Sequence, residues 1–249
     1  MEIFNKYGNY IEAVCDGEPS HELLVGLFFL RGLDDSFLAG YSEKERCAAG
    51  RKILRVLRDT DALHIIDILD RYAEDIRPVV TSGIPQFSEF TDVDRVLRIV
   101  LANEGCDFEY IGYMFNKDAQ ESAQYKYGEN HYKLCYQLGL VNWAGRARVT
   151  KAAKISHLGE SYLNYDDVSR RDLQAKLCFR LPVIQRMYVE AKHGKVDGMQ
   201  TFVDAGLSPS TAVRRRSSTR QMLRAISSLL PEDRNYTDNI EWFGEKYDG

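Results

Sequence analysis

Apolar residues recur at three- and four-residue spacing over positions 21–33, 42–58 and 61–76, and the same spacing returns from position 92 onward. That period gives a helix one apolar stripe, whereas a half-buried strand would alternate. The chain is therefore expected to be mainly α, beginning with a helical packing or association domain over residues 1–87. Ser42 followed by Glu45 fits a capping box, and Asp61 fits the N-cap of the next helix. Residues 77–85, Arg-Pro-Val-Val-Thr-Ser-Gly-Ile-Pro, carry no period and read as a linker or inter-domain strand. Nothing in this head points to chemistry.

Three shorter helices follow. Val93, Val96, Leu97 and Val100 share one face of the first. Asp107 is placed to cap the second, with Phe108, Ile111 and Met114 along it, and residues 119–138 form the third, stopped by Gly139. Residues 140–143 and 148–155, separated by a turn at Gly145, read as a β-hairpin, and 156–163 return to helix. Three helices and a hairpin are the element order of a winged helix, expected here over 88–165. In that arrangement the third helix enters the major groove and the hairpin follows the phosphates. Gln124, Lys126, Tyr127, Asn130, His131 and Lys133 are the candidate DNA-facing residues of the third helix, with Tyr132, Leu134, Cys135 and Leu138 on its core side. Asn and Gln can bond an adenine edge twice, and Lys can bind guanine or phosphate. The wing holds Arg146, Arg148, Lys151 and Lys154, with no acid between Asn142 and His157.

The C-terminal region, 166–249, holds a second pattern. A short helix over 197–204 is followed by Gly206, by Ser208 as N-cap and by Pro209 as first helical residue. The next helix carries Ser210, Thr211, Arg214, Arg215, Arg216, Arg220 and Arg224, and no acid occurs from Ala205 to Leu230. Arginines beside hydroxyls at a helix N-terminus suit phosphate binding. Pairing of this helix with the acidic tail is the competing reading.

The net charge of -4, from 33 Lys+Arg and 37 Asp+Glu, hides a segregation. Residues 1–90 hold 10 basic and 16 acidic side chains, residues 91–230 hold 21 and 15, and residues 231–249 hold 2 and 6. The positive stretch is the one that carries both helix-turn-helix patterns.

Ala205-Gly-Leu-Ser-Pro-Ser-Thr-Ala-Val-Arg-Arg resembles the helix-turn-helix signature of bacterial DNA-binding proteins. More broadly, 88–230 is similar to the winged-helix modules of bacterial type II restriction endonucleases and related defence proteins. Five stretches carry that similarity: Phe90-Thr-Asp-Val-Asp-Arg-Val-Leu-Arg, Tyr127-Gly-Glu-Asn-His-Tyr-Lys-Leu, Leu138-Gly-Leu-Val, Ser156-His-Leu-Gly-Glu-Ser-Tyr-Leu and Thr211-Ala-Val-Arg-Arg-Arg-Ser-Ser-Thr. The resemblance covers a little over half of the chain and none of 1–87. It implies recognition of target double-stranded DNA for a nuclease or other effector, in this chain or in a partner subunit.

A cutting activity would need an upstream acid and a Glu/Asp-x-Lys to hold Mg²⁺. Glu190 and Lys192, with Asp166, Asp167 or Asp172 upstream, are the weak candidates, set against an amphipathic helix over 181–192. No other cofactor is expected. The five histidines show no ligand spacing and read as surface or capping residues, and the five cysteines form no C-x-x-C pair. The longest apolar run, 23–30, is too short to cross a bilayer, and Met-Glu-Ile-Phe does not open a secretory signal, so a bacterial cytoplasmic location without membrane contact is expected. The expectation is a sequence-preferring duplex-DNA binder in a restriction or defence system. A transcription repressor acting as a homodimer, a protein-docking winged helix and a Mg²⁺-dependent endonuclease are the alternatives.

Overall fold

The computed structural model describes residues 20–36, 38–142 and 153–242, and it is mainly helical, 69% helix against 3% strand. Helix α1, His21–Val25, starts at Ser20, whose hydroxyl accepts from the Leu23 amide, and widens into a π-helical turn at Gly26–Leu30. That turn is Gly-Leu-Phe-Phe-Leu, apolar all round, and every residue of it is buried. Helix α2, Glu43–Asp59, opens with the reciprocal capping box of Ser42 and Glu45. Helix α3, Ala62–Arg71, has Asp61 at its N-cap place, without a side-chain cap bond. It ends earlier than its apolar period implies. Tyr72 leaves the helical region (φ -114°, ψ 32°), its hydroxyl reaches Glu22 at 2.8 Å, and a 3₁₀ turn at Ala73–Asp75 carries the chain toward Pro78.

Residues 77–92 form no strand. Two 3₁₀ turns, Thr81–Gly83 and Phe90–Asp92, interrupt an extended strap whose backbone groups are satisfied by side chains. Arg215 donates to the carbonyls of Thr81 and Ile84, Gln137 to that of Ser82, and Ser218 bonds both the N–H and the carbonyl of Phe87. A segment with no neighbouring strand must find such partners or stay in water.

Helices α4 (Val93–Ala102), α5 (Phe108–Phe115) and α6 (Glu121–Gln137) come next, with Asp107 capping α5 through the Tyr110 amide at 2.8 Å. Tyr132, Leu134, Cys135 and Leu138 lie in the core as the period implies. Helices α5 and α6 approach closely because two glycines face backbone: a Cβ on Gly112 would sit 1.8 Å from the Gln124 carbonyl oxygen, and one on Gly128 would sit 1.9 Å from that of Phe108. Past α6, Val141 and Ile155 form an antiparallel bridge, flanked by Asn142 N–H to Lys154 O (2.9 Å) and Ser156 N–H to Leu140 O (3.1 Å). On its other side, Ala153 accepts from the Gly105 amide at 2.8 Å. Residues 140–142 and 153–155 therefore lie side by side, with the turn at Gly105 and Cys106 bonded to Ala153 beyond them. The Tyr132 hydroxyl closes this base by donating to Asn142 O (2.6 Å). The expected hairpin tip, with Arg146, Arg148 and Lys151, lies outside the described residues.

The remainder comprises α7 (His157–Leu163), α8 (Asp167–Leu177), α9 (Pro182–His193), β1 (Val196–Asp197), α10 (Gly198–Asp204), α11 (Pro209–Ser227) and β2 (Ile240–Glu241), which pairs in parallel with β1. One apolar core runs from Leu24 to Ile240 and draws on the described parts of all three expected segments, 1–87, 88–165 and 166–249. Polar ties cross between them. Arg180 reaches the carbonyls of Phe28, Gly32 and Leu33, and Asp94 on α4 receives the Tyr162 hydroxyl (2.8 Å) and Arg170 Nε (2.6 Å) from α7 and α8. Among the described residues, no helix is long and apolar enough to cross a membrane.

Candidate nucleic-acid interface

The six candidate residues of α6 divide between two stripes. At 100° per residue, positions 124, 127 and 131 fall on one side and 126, 130 and 133 on the other. The structure turns the first set inward. Gln124 is 6% exposed, and its amide donates to the carbonyls of Asn116 (3.0 Å) and Lys117 (3.3 Å), holding the turn before α6. The Tyr127 hydroxyl donates to Asp92, and burial, reinforced by Asp92, pushes it up to about 12. His131 is 1% exposed, stacked on Tyr127 with ring centroids 4.0 Å apart and packed near Phe87 and Phe115. Burial lowers the affinity of this imidazole for its proton. The expectation that His131 lies at the surface is thus corrected, because polar side chains that find partners can occupy an inner stripe. None of these three offers a free edge to a groove of DNA in this arrangement.

The outer stripe is Lys126, Asn130 and Lys133. Lys126 and Lys133 are exposed and both bond Glu129, at 2.6 and 2.8 Å. Against the cost of burial, these two lysines hold the Glu129 carboxyl below its usual range. Asn130 is half-buried between them.

This stripe borders a groove of about 1280 Å³ whose other walls are the 77–86 strap, the hairpin base and the head. Its basic side chains are Arg46, Arg77, Lys126, Lys133, Lys154, Arg180 and Arg215, and its acids are Asp34, Asp35 and Glu43 at the head end. Arg180 is buried at the groove wall, with its guanidinium 4.3 Å from the Phe28 ring centre. Burial lowers it to about 10, so it stays cationic at neutral pH. At the acidic end, Asp35, Glu43, Cys47 and His157 converge from three separate stretches of chain. Sequence reading missed this cluster. Its one local signal is Glu43 and Cys47 four apart on a capped helix, hence on one face.

In the second pattern, Ser208 caps α11 through the Thr211 amide, Pro209 opens the helix, and Gly206 takes φ +92°, where a side chain would be strained. Ser210 is exposed, and Thr211 accepts from the Ser208 hydroxyl at 2.9 Å. The arginines separate. Arg215 faces inward to hold the strap, Arg216 is half-buried, and Arg214, Arg220 and Arg224 are exposed; apart from Arg215, which bonds the strap, these arginines meet no acid among the described residues. Over its described part, 231–242, the tail makes no ion pair with them. Asn235 donates to Ser227 at the far end of α11, Thr237 meets Tyr188 on α9, Asn239 donates to Ala191 O, and Glu241 pairs with Lys195.

Glu190 and Lys192 lie on helix α9, about 200° apart around its axis. Glu190 pairs with Arg186, and Lys192 bonds Asp67 and Asp70 on α3, both at 2.8 Å. Of the upstream acids, Asp166 caps α8 and Asp172 pairs with Lys176. These side chains do not converge. Compared with known protein families, curated proteins and solved structures, the chain matches none.

Proposed function

We propose that this chain binds duplex DNA with sequence preference, using residues 88–165 as a winged helix and α11 as a second, arginine-rich phosphate contact. It acts as the recognition component of a restriction or defence system, beside a nuclease or effector that cuts. One observation carries the reading. The helices α4, α5 and α6 lead into a bridged pair of segments, 140–142 and 153–155, the second of which also bonds Gly105 and Cys106, and α6 exposes two lysines that share the single acid Glu129. In this reading Lys126, Asn130 and Lys133 face the duplex, with Lys154 at the wing base, while Gln124, Tyr127 and His131 shape α6 from behind. Arg214, Arg216, Arg220 and Arg224, which meet no acid among the described residues, supply the sequence-independent attraction.

The test is a selection from random duplexes, followed by sequencing. Enrichment of a defined motif is expected. Asn130→Ala is expected to change the preferred base at one position, while Arg220→Ala weakens all sequences alike. A symmetric pair of half-sites would move the assignment toward a dimeric repressor. Retention of no duplex at low salt would overturn DNA binding and leave protein docking as the use of this surface.

A further inference from the structure

Where the head meets the hairpin base, four side chains form an arrangement that the DNA reading does not use. His157, the first residue of α7, has Nδ1 2.8 Å from Asp35 Oδ2 and Nε2 3.2 Å from Glu43 Oε1. Cys47 lies one turn along α2 from Glu43, and the donor atoms of Glu43, Cys47 and His157 all fall within 4.8 Å of one another. Asp35 is itself fixed, since its Oδ2 also accepts from Asn142 Nδ2 (3.2 Å) and from the His157 backbone N–H (3.3 Å). This is the pattern in which an outer carboxylate orients a metal-ligating histidine and sets its tautomer. The other ring nitrogen, Nε2, stands 3.2 Å from Glu43 Oε1, a contact that either a second ring proton or a metal ion in its place would satisfy. Glu43 Oε2 is also bonded by Arg46 at 3.2 Å, which leaves Oε1 for the site.

We propose that Glu43, Cys47 and His157 form a three-ligand site for Zn²⁺, with Asp35 as a positioning residue behind His157. The donor set selects the ion. One thiolate, one imidazole and one carboxylate suit zinc, whereas Mg²⁺ and Ca²⁺ take oxygen donors alone. Neighbouring ligands around tetrahedral zinc stand about 3.3–3.7 Å apart given bonds of about 2.0–2.3 Å. The donors need to close by about 1 Å, and Glu43, whose side chain is 74% exposed, is free to move that far. On binding, the sulfur–hydrogen bond of Cys47 breaks, a sulfur–zinc bond forms, and the proton leaves to solvent. The fourth position is left for water or for a ligand in the adjoining groove, on whose wall Glu43 and His157 lie. A bound ion would clamp α2 to the start of α7, tying the head to the hairpin base.

The test is titration of the full chain with Co²⁺ alone and then with Zn²⁺ alone. The expected result is a thiolate-to-cobalt charge-transfer band that saturates at one ion per chain and is abolished by one equivalent of Zn²⁺. Cys47→Ser, a half-exposed and nearly isosteric change, should remove the band. Glu43→Gln should weaken Zn²⁺ binding at least tenfold, and Asp35→Asn by about 10–100-fold. Circular dichroism of each variant separates loss of metal from loss of fold. A band that persists in Cys47→Ser, no band in the native chain, or Zn²⁺ affinity unchanged by both carboxylate variants would overturn the site. None of these outcomes bears on DNA binding.

Discussion

Replacing Gly128 by alanine tests the packing that sets the position of α6. In an exposed helix interior this change is worth about 1 kcal/mol of added stability, because glycine costs backbone entropy. Here the new Cβ would stand 1.9 Å from the Phe108 carbonyl oxygen, whereas real Cβ atoms essentially never come under 3.0 Å, so α5 and α6 must part by at least 1.1 Å. The obstacle is backbone in the first turn of α5, which cannot swing aside as a side-chain tip can. Overpacking of this kind costs about 1–3 kcal/mol, and more where backbone must move. With a cost at the upper end of that range and the entropy gain of about 1 kcal/mol set against it, a net loss of about 2 kcal/mol is expected. For a chain of this size that corresponds to a fall of about 4–8 °C in Tm. Urea and thermal unfolding followed by circular dichroism measure it, with Gly40→Ala, whose Cβ meets nothing within 4 Å, as the control. A Gly128→Ala variant as stable as the native chain, or more stable, would refute the close approach of α5 and α6.

Three further outcomes follow from buried groups. His131 binds its proton less readily when folded, so its contribution is complete above the unfolded value of about 6.5 and is lost as pH falls below that. Urea unfolding between pH 5 and 7.5 should show a smaller acid-side loss in His131→Phe, and an unchanged pH profile would contradict the buried placement beside Asp92. Arg180→Met strands the carbonyls of Phe28, Gly32 and Leu33 and should cost on the order of 3 kcal/mol; unaltered urea unfolding would count against those bonds. Arg215→Ala should speed amide exchange over residues 79–86 about tenfold with little change in global stability, since it releases only the strap. Exchange that is unaltered there would mean the strap is held by other groups.

The local chemistry of this chain was open to reading. Ser42, Asp107 and Ser208 cap the helices they precede, because a cap is decided by the three residues that follow it, while Asp61 holds the N-cap place without a side-chain bond. Gly139 and Gly206 take positive φ where the helices end. The inward turn of Gln124 and His131 was not legible, since residue type says what a side chain can bond and only tertiary packing says whether it must. The strap at 77–92 was misjudged for a related reason: its partners Gln137, Arg215, Ser218 and Gln221 lie 50 or more residues away. The Asp35–Glu43–Cys47–His157 cluster has the same character. Its members come from the head and from the start of α7, which the close contact of Gly50 with the His157 carbonyl brings together.

The central claim is that α11 meets phosphates. Each phosphate neutralised on a duplex contributes about 0.9 to the slope of log affinity against log salt. Fluorescence anisotropy with a selected duplex between 50 mM and 200 mM salt gives that slope for the native chain and for Arg216→Ala/Arg220→Ala/Arg224→Ala. A slope shallower by about 2–3 is expected in the variant, whose circular dichroism should match the native chain because Arg220 and Arg224 are exposed and Arg216 is only half-buried. Equal slopes for the two proteins would contradict it.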